Sequence, residues 1–236
     1  MIGSSPAWPN PGGVHAGYLV EADGTRLLLD CGPGVLGQLR ELEPWPTVDA
    51  IVISHFHLDH FGDLVPWVWG ALHRPGERPR PTLWLPPGGT EVLAEHGSRL
   101  GYPNMFSDAF RLTEYVSGER FREGELTVLG LPMRHYRMPC HALRVECNGR
   151  SLAYSADTGP NPDLVELARD VDLFICEATL LTAADDGDLR GHLSLDEAVE
   201  AAAAAGAHRL VVTHRPGELP VPDDVELAHD GLELEV

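Results

Sequence analysis

The chain has 236 residues, 43% of them apolar, enough to bury a large core without covalent staples, so one domain over 1–236 is expected. Its 17 basic and 36 acidic residues leave a formal charge of −19, which repels a polyanion at long range and disfavours nucleic acid as the main partner, although a metal centre still draws small anions locally. The four cysteines, Cys31, Cys140, Cys147 and Cys176, form no CxxC pair, the first residues carry no basic and apolar leader, and no apolar run reaches a membrane span; a soluble cytoplasmic protein with reduced thiols is expected, a Cys140–Cys147 disulfide being the other reading.

Short apolar runs alternate with helical patterns along the chain. Strands are predicted over 17–21 and 26–30, then a short helix over 33–42 entered through the turn Cys31-Gly32-Pro33-Gly34. The run DAIVIS at 49–54 reads as a buried strand leading straight into a histidine cluster, followed by a helix near 61–73. RPGERPRP at 74–81 cannot continue a helix and reads as a loop. Helical patterns follow at 89–100 and 104–115, then strands at 125–131, 141–147 and 150–155, the last two joined by Asn148-Gly149 as a hairpin. The final third alternates helix 162–169, strand 171–176, helix 194–206, strand 209–214 and a closing strand 231–236. Trp67 and Trp69 are expected in the core ahead of a role in a cleft, and Tyr136 and His141 are left between pocket and solvent.

The fragment SHFHLDH at 54–60 gathers His55, His57, Asp59 and His60 directly after a β-branched strand. Imidazole nitrogens and carboxylate oxygens suit Zn²⁺ and related divalent ions, and a turn after a strand can aim several at one point. A second ion needs further donors, and three follow strands in the same way: His135, Asp157 and His214. Each also has a plain structural reading as a helix cap or turn residue, Asp157 as the cap of the helix beginning near Pro162.

SHFHLDH, the later His135, SADTGP at 155–160 and VVTHRPG at 211–217 resemble, in order, the successive metal-binding motifs of metallo-β-lactamase fold hydrolases. The resemblance implies an α/β, four-layer αββα sandwich with two divalent metal ions at one edge. His55, His57 and His135 would hold one ion, Asp59, His60 and His214 the other, with Asp157 bridging. Zn²⁺ is implied first, manganese or iron being accepted by the same donors. Flavin-linked diiron members carry glutamate where this chain has His57, and many true β-lactamases carry cysteine where it has Asp157. What is left is a hydrolytic branch that includes phosphodiesterases and glyoxalase II thioesterases.

CEATL at 176–180 and GHLSLDEAVE at 191–200 are similar to the ribonuclease Z branch, in which a glutamate supports a histidine serving the leaving group. Here those are Glu177 and His192, which with Asp59 make up the implied catalytic set. A carboxylate beside an imidazole orients it and raises its pKa, so it can donate a proton near neutral pH. His192 can equally be a helix-entry residue ahead of a Ser194 and Glu197 capping box. Asp30 in LLLDCGPG resembles a family position that buttresses the ligand histidines, a helix cap before Pro33 being the alternative.

Ribonuclease Z enzymes carry a long RNA-gripping arm between the third and fourth motifs, where this chain has only the short stretch from His135 to Asp157. With the −19 charge, that favours a small phosphodiester over RNA, and the overall pattern looks closer to bacterial cyclic-nucleotide phosphodiesterases of this fold. A thioesterase or lactonase is the alternative, then ribonuclease Z-like processing, and last a metal-binding module without catalysis. The resemblance leaves monomer and homodimer open. Gly3-Ser4-Ser5 follows Met1 almost at once, so the family's first strand is expected to be short or absent, as a start upstream of Met1 would explain.

Overall fold

A computed structural model describes residues 1–236. β1 (Tyr18–Ala22) and β2 (Thr25–Leu29) form a hairpin through Asp23-Gly24, both at positive φ (48° and 75°), the primed turn whose twist suits antiparallel strands. β3 (Ala50–Val52), β4 (Thr82–Leu85) and β5 (Arg111–Glu114) then add in parallel, giving the order β1-β2-β3-β4-β5. The second sheet runs β11-β10-β9-β8-β7-β6. Its members β6 (Arg120–Glu123), β7 (Leu126–His135), β8 (Met138–Cys147) and β9 (Arg150–Tyr154) are antiparallel, and β10 (Leu173–Glu177) and β11 (Leu210–Thr213) continue parallel to β9.

Alternation along the strands decides which layer each side chain joins. Leu27, Leu29, Ala50 and Val52 face the second sheet, in the larger of two apolar clusters with Val128, Leu143 and Val145. Leu28, Ile51 and Ile53 point the other way, under the helices α1 (Val35–Leu42), α3 (Leu64–His73), α4 (Gly89–Arg99) and α5 (Met105–Ala109). α6 (Pro162–Leu167) and α7 (Leu195–Ala205) seal the far face of the second sheet through Leu164, Leu167, Ala198 and Ala202. The result is the αββα sandwich expected from the motifs. α2 (Leu58–Phe61) is a single turn that belongs to the site.

Several expectations need correction. The helix predicted over 104–115 stops at Ala109, and Phe110 turns extended so that Arg111–Glu114 pairs with β4; Thr113 on this strand is β-branched and suits it. Residues 231–236 form no strand: Leu232 and Leu234 pack on the core as irregular chain, tied by a bond from the Met1 amine to the Leu232 carbonyl. β4 and β6 were not anticipated: prolines flank the first, and three of the four residues of the second are charged. Trp67 is fully buried as expected, whereas Trp69 is half exposed and stacks on His73. All four cysteines are free. Cys140 and Cys147 lie on one extended strand, about 23 Å apart at the usual rise, far beyond disulfide reach. At the N-terminus only Gly3 pairs with the sheet edge, through Gly17, so the first strand is short as expected. No helix is long and apolar enough to cross a membrane.

Candidate metal centre

Both sheets send their chemistry to one edge. His55 and His57 follow β3, His135 ends β7, Asp157 follows β9, Glu177 ends β10 and His214 follows β11. Asp59 and His60 ride on α2, which is pinned by the Cys31 amide donating to the His60 carbonyl at 2.7 Å and the Asp63 amide to that of Cys31 at 3.0 Å. Gly32 is required here, since a Cβ would collide with the Asp59 carbonyl oxygen. Four non-glycine residues at the site hold the left-handed conformation, Asp30, Tyr136, Ala156 and His214, with φ of 58°, 48°, 48° and 53°. Backbone of this kind costs on the order of 1–3 kcal/mol per residue and persists where the surroundings dictate it.

The seven donors fall into two overlapping groups: His55, His57, His135 and Asp157 form one, and Asp59, His60, Asp157 and His214 the other, with the donor atoms of each within 4.8 Å of one another. Asp157 is common to both. Its Oδ2 lies 3.8 Å from His55 Nε2 and 3.7 Å from His135 Nε2, while its Oδ1 lies 3.3 Å from His60 Nε2 and 3.5 Å from His214 Nε2. The helix-cap reading of Asp157 does not hold, because Asn161 caps α6 by accepting from the Asp163 amide.

Hydrogen bonds behind the site fix which nitrogen of each ring faces inward. The Ser54 hydroxyl donates to Asp30 Oδ2 at 2.7 Å, so His55 must donate through Nδ1 to the Ser54 oxygen at 3.0 Å. His60 Nδ1 donates to Asp30 Oδ2 at 2.7 Å and His135 Nδ1 to the Gly191 carbonyl at 2.8 Å. Thr179 donates its hydroxyl proton to Glu177 Oε2 at 2.7 Å and therefore accepts from His214 Nδ1 at 2.9 Å. Four imidazoles thus aim Nε2 at the centre, the arrangement that carboxylate or carbonyl partners impose on metal-ligating histidines. His55 Nε2, His60 Nε2 and Asp157 Oδ1 are fully buried with no hydrogen-bond partner. Such orphaned donors are costly unless an ion takes them up, so nitrogen and oxygen of this number fit divalent metal. Asp30 is the expected buttress; as a helix cap it has no role, since α1 begins after Gly34 without a side-chain cap.

Charge follows the same geometry. Burial, helped by neighbouring His60, pushes the His55 imidazole well below its ordinary pKa, and burial lowers His57 and His135 too, leaving neutral rings ready to coordinate. Burial would raise the Asp59 and Asp157 carboxyls, but His214 and His60 hold both well below the usual range. Burial would lower His60 as well, yet Asp157 and Asp30 on either side raise it, so without metal it carries a proton that an ion must expel.

His192 stands beside this centre on the loop leading to α7. Its Nδ1 donates to Glu177 Oε1 at 2.8 Å, and its ring centroid is 4.9 Å from that of His135 and 5.7 Å from that of His214. Burial opposes a charge on this ring, but Glu177 with Asp157 and Asp186 prevails and raises its pKa to about 9. The helix-entry reading of the segment holds, for Ser194 and Glu197 form the capping box of α7. Ser54, Tyr154 and Thr179 were missed. Tyr154 donates to Asp30 Oδ2 at 2.8 Å, a bond across 124 residues that no local pattern signals. His141 is buried, its Nε2 3.2 Å from the Ser117 hydroxyl.

The model of the Beta-lactamase superfamily domain matches residues 25–215. The "Probable metallo-hydrolase YhfI" of Bacillus subtilis is 30% identical over 220 residues, covering 92% of this chain and 86% of that protein. Its crystal structure, described as a metallo-beta-lactamase fold protein, superposes with a TM-score of 0.81 at 26% identity over 98% of this chain and 96% of the other. The ribonuclease BN of Cronobacter sakazakii is 28% identical over 243 residues, 79% of this chain and 77% of the enzyme. The fold also matches a diphosphatase from the PhnP family, with a TM-score of 0.77, 22% identity and coverage of 99% and 95%. With a histidine and aspartate cluster able to bind metal at the edge of its two sheets, the chain belongs to the beta-lactamase superfamily, as a metallo-hydrolase of the metallo-β-lactamase fold.

Proposed function

We propose that this chain is a two-metal phosphodiesterase acting on a small phosphodiester such as a cyclic nucleotide. The observation that carries the reading is the Glu177–His192 pair, a protonated imidazole standing beside a double cluster of metal donors. Hydrolysis of a phosphodiester at neutral pH needs a proton for the departing alkoxide, and His192 is built to supply one. That one relative is named a ribonuclease and one structural neighbour a diphosphatase supports chemistry at phosphorus. The −19 charge favours a small substrate over RNA.

In this reading His55, His57 and His135 hold one ion, Asp59, His60 and His214 the second, and Asp157 serves both. Zn²⁺ suits these donors first, and manganese or iron also matches them. Bound there, the ions supply Lewis-acid chemistry, activating water as a nucleophile and neutralising charge on the phosphoryl oxygens. Asp30, Ser54, Thr179 and the Gly191 carbonyl keep the four Nε2 atoms directed inward. Glu177 orients His192 and stabilises its imidazolium, and Nε2, the free ring nitrogen, donates the proton.

The test is turnover by the zinc-loaded protein of bis-p-nitrophenyl phosphate, cyclic AMP, cyclic GMP, an acyl thioester, a lactone and a transfer RNA precursor. Hydrolysis of the small phosphodiesters, lost on chelation and on cyclic AMP in His192→Ala, supports the reading. Preference for the acyl substrates or for RNA overturns it.

A further inference from the structure

The chain between Leu180 and Leu193 leaves the fold and returns, its base closed by the Leu180 amide donating to the Leu193 carbonyl at 2.9 Å. Most of 181–189 is exposed, so the excursion has little packing of its own to fix the leg that delivers His192. The two amides of that leg, at Gly191 and His192, are both taken by one carboxylate. Asp186 Oδ2 accepts from the Gly191 amide at 2.6 Å and the His192 amide at 3.0 Å, while its Oδ1 accepts from the Tyr136 hydroxyl at 2.6 Å.

Tyr136 comes from the opposite side of the site. It follows His135 at the β7–β8 turn, with a φ of 48° that a bulky residue adopts only when its surroundings dictate it. Its ring lies against Gly191, where any Cβ would strike it, and its centroid is 5.5 Å from that of His192, edge to face. Gly191 also receives the Nδ1 proton of His135, so the same leg touches a metal-donor histidine. His192 is therefore held three ways: at its ring by Glu177, at its carbonyl by Arg190, which donates to it at 3.0 Å, and at its amide by Asp186, which Tyr136 orients.

We propose that Tyr136 and Asp186 form a latch that holds segment 186–192 against the metal centre and positions His192 for proton donation; this rests on the phosphodiesterase reading. Both are positioning residues, acting on the leaving group through His192. Removing the latch lets His192 drift, while of the metal donors His135 alone is bonded to this leg, through the Gly191 carbonyl, so the larger damage falls on substrates whose leaving group needs the proton. Cyclic AMP, with its ribose alkoxide, is such a substrate; bis-p-nitrophenyl phosphate is less so, because p-nitrophenolate departs as a stable anion.

The test compares Tyr136→Phe, which keeps the ring on Gly191 and removes only the hydroxyl, with Asp186→Asn, both zinc-loaded. The loss in kcat on cyclic AMP is expected to exceed that on bis-p-nitrophenyl phosphate by about tenfold in Y136F and more in D186N, within the roughly 10²–10⁴-fold attributable to a general acid. Deuterium exchange of the peptide spanning 186–192 is expected to accelerate in both variants while that of β7 does not. Equal losses on the two esters, or unaltered exchange at 186–192 in both variants, overturn the latch. A wild-type protein that turns over neither ester defeats the phosphodiesterase reading instead, and exchange alone then decides whether the latch exists.

Discussion

Asp30 is the buried hub on which half of the metal centre turns, and Asp30→Asn tests how. The side chain is 0% exposed and accepts four hydrogen bonds: from the Ser54 amide at 2.8 Å, the Ser54 hydroxyl at 2.7 Å, His60 Nδ1 at 2.7 Å and the Tyr154 hydroxyl at 2.8 Å. Asparagine preserves the oxygen that meets the Ser54 amide and replaces the other with a donor NH₂ facing three donors. The hydroxyls can rotate to accept, whereas His60 can do so only by moving its proton from Nδ1 to Nε2, where it points at Asp59 and Asp157 in place of a lone pair. Losing a partner of this kind weakens metal affinity by about 10–100-fold, and an unsatisfied buried donor costs about 1–3 kcal/mol of stability. Zinc titration against a chelator should therefore show one site near wild-type affinity and one weakened by that factor, and urea unfolding of the metal-free protein should show the stability loss. Two equivalents of zinc bound at wild-type affinity by D30N would refute this account of the hub.

Proton donation by His192 sets the pH dependence. The ring is active while protonated, so kcat on cyclic AMP should fall as pH rises through its pKa, about 9 without metal and lower once cations are bound nearby; His192→Ala should abolish that limb, and its survival assigns the proton to another group. His60 is protonated between Asp157 and Asp30 in the metal-free protein, so zinc binding should release a proton and weaken as pH falls; calorimetry in buffers of different ionisation enthalpy reads this, and buffer-independent heats contradict it. Gly32→Ala should displace the Asp59 turn and cost about 1–3 kcal/mol of stability together with metal affinity, and a variant that binds zinc and melts like wild type shows that the turn can yield.

The candidate donors were legible because His135, Asp157 and His214 sit at or just past the end of an apolar strand and the SHFHLDH cluster follows another, a pattern of the local chain alone. Asp157 illustrates the limit: as a single residue it reads equally as a helix cap, and only the converging strands bring it within 3.3 Å of His60. Thr179 and Tyr154 escaped notice because their work depends on partners far away in sequence, His214 and Asp30, so no spacing rule points to them. The segment after 104 was misread because MFSDAF carries a helical pattern, and only pairing with β4 pulls Arg111–Glu114 straight. Leu232 and Leu234 alternate as in a strand, but they pack on the core without joining either sheet.

Titrating metal-free protein with zinc while following cyclic AMP hydrolysis asks whether a two-ion centre hydrolyses phosphodiesters. Turnover is expected to rise to a plateau at two equivalents. A plateau at one equivalent, or no hydrolysis of cyclic AMP or any other small phosphodiester at two, would contradict it.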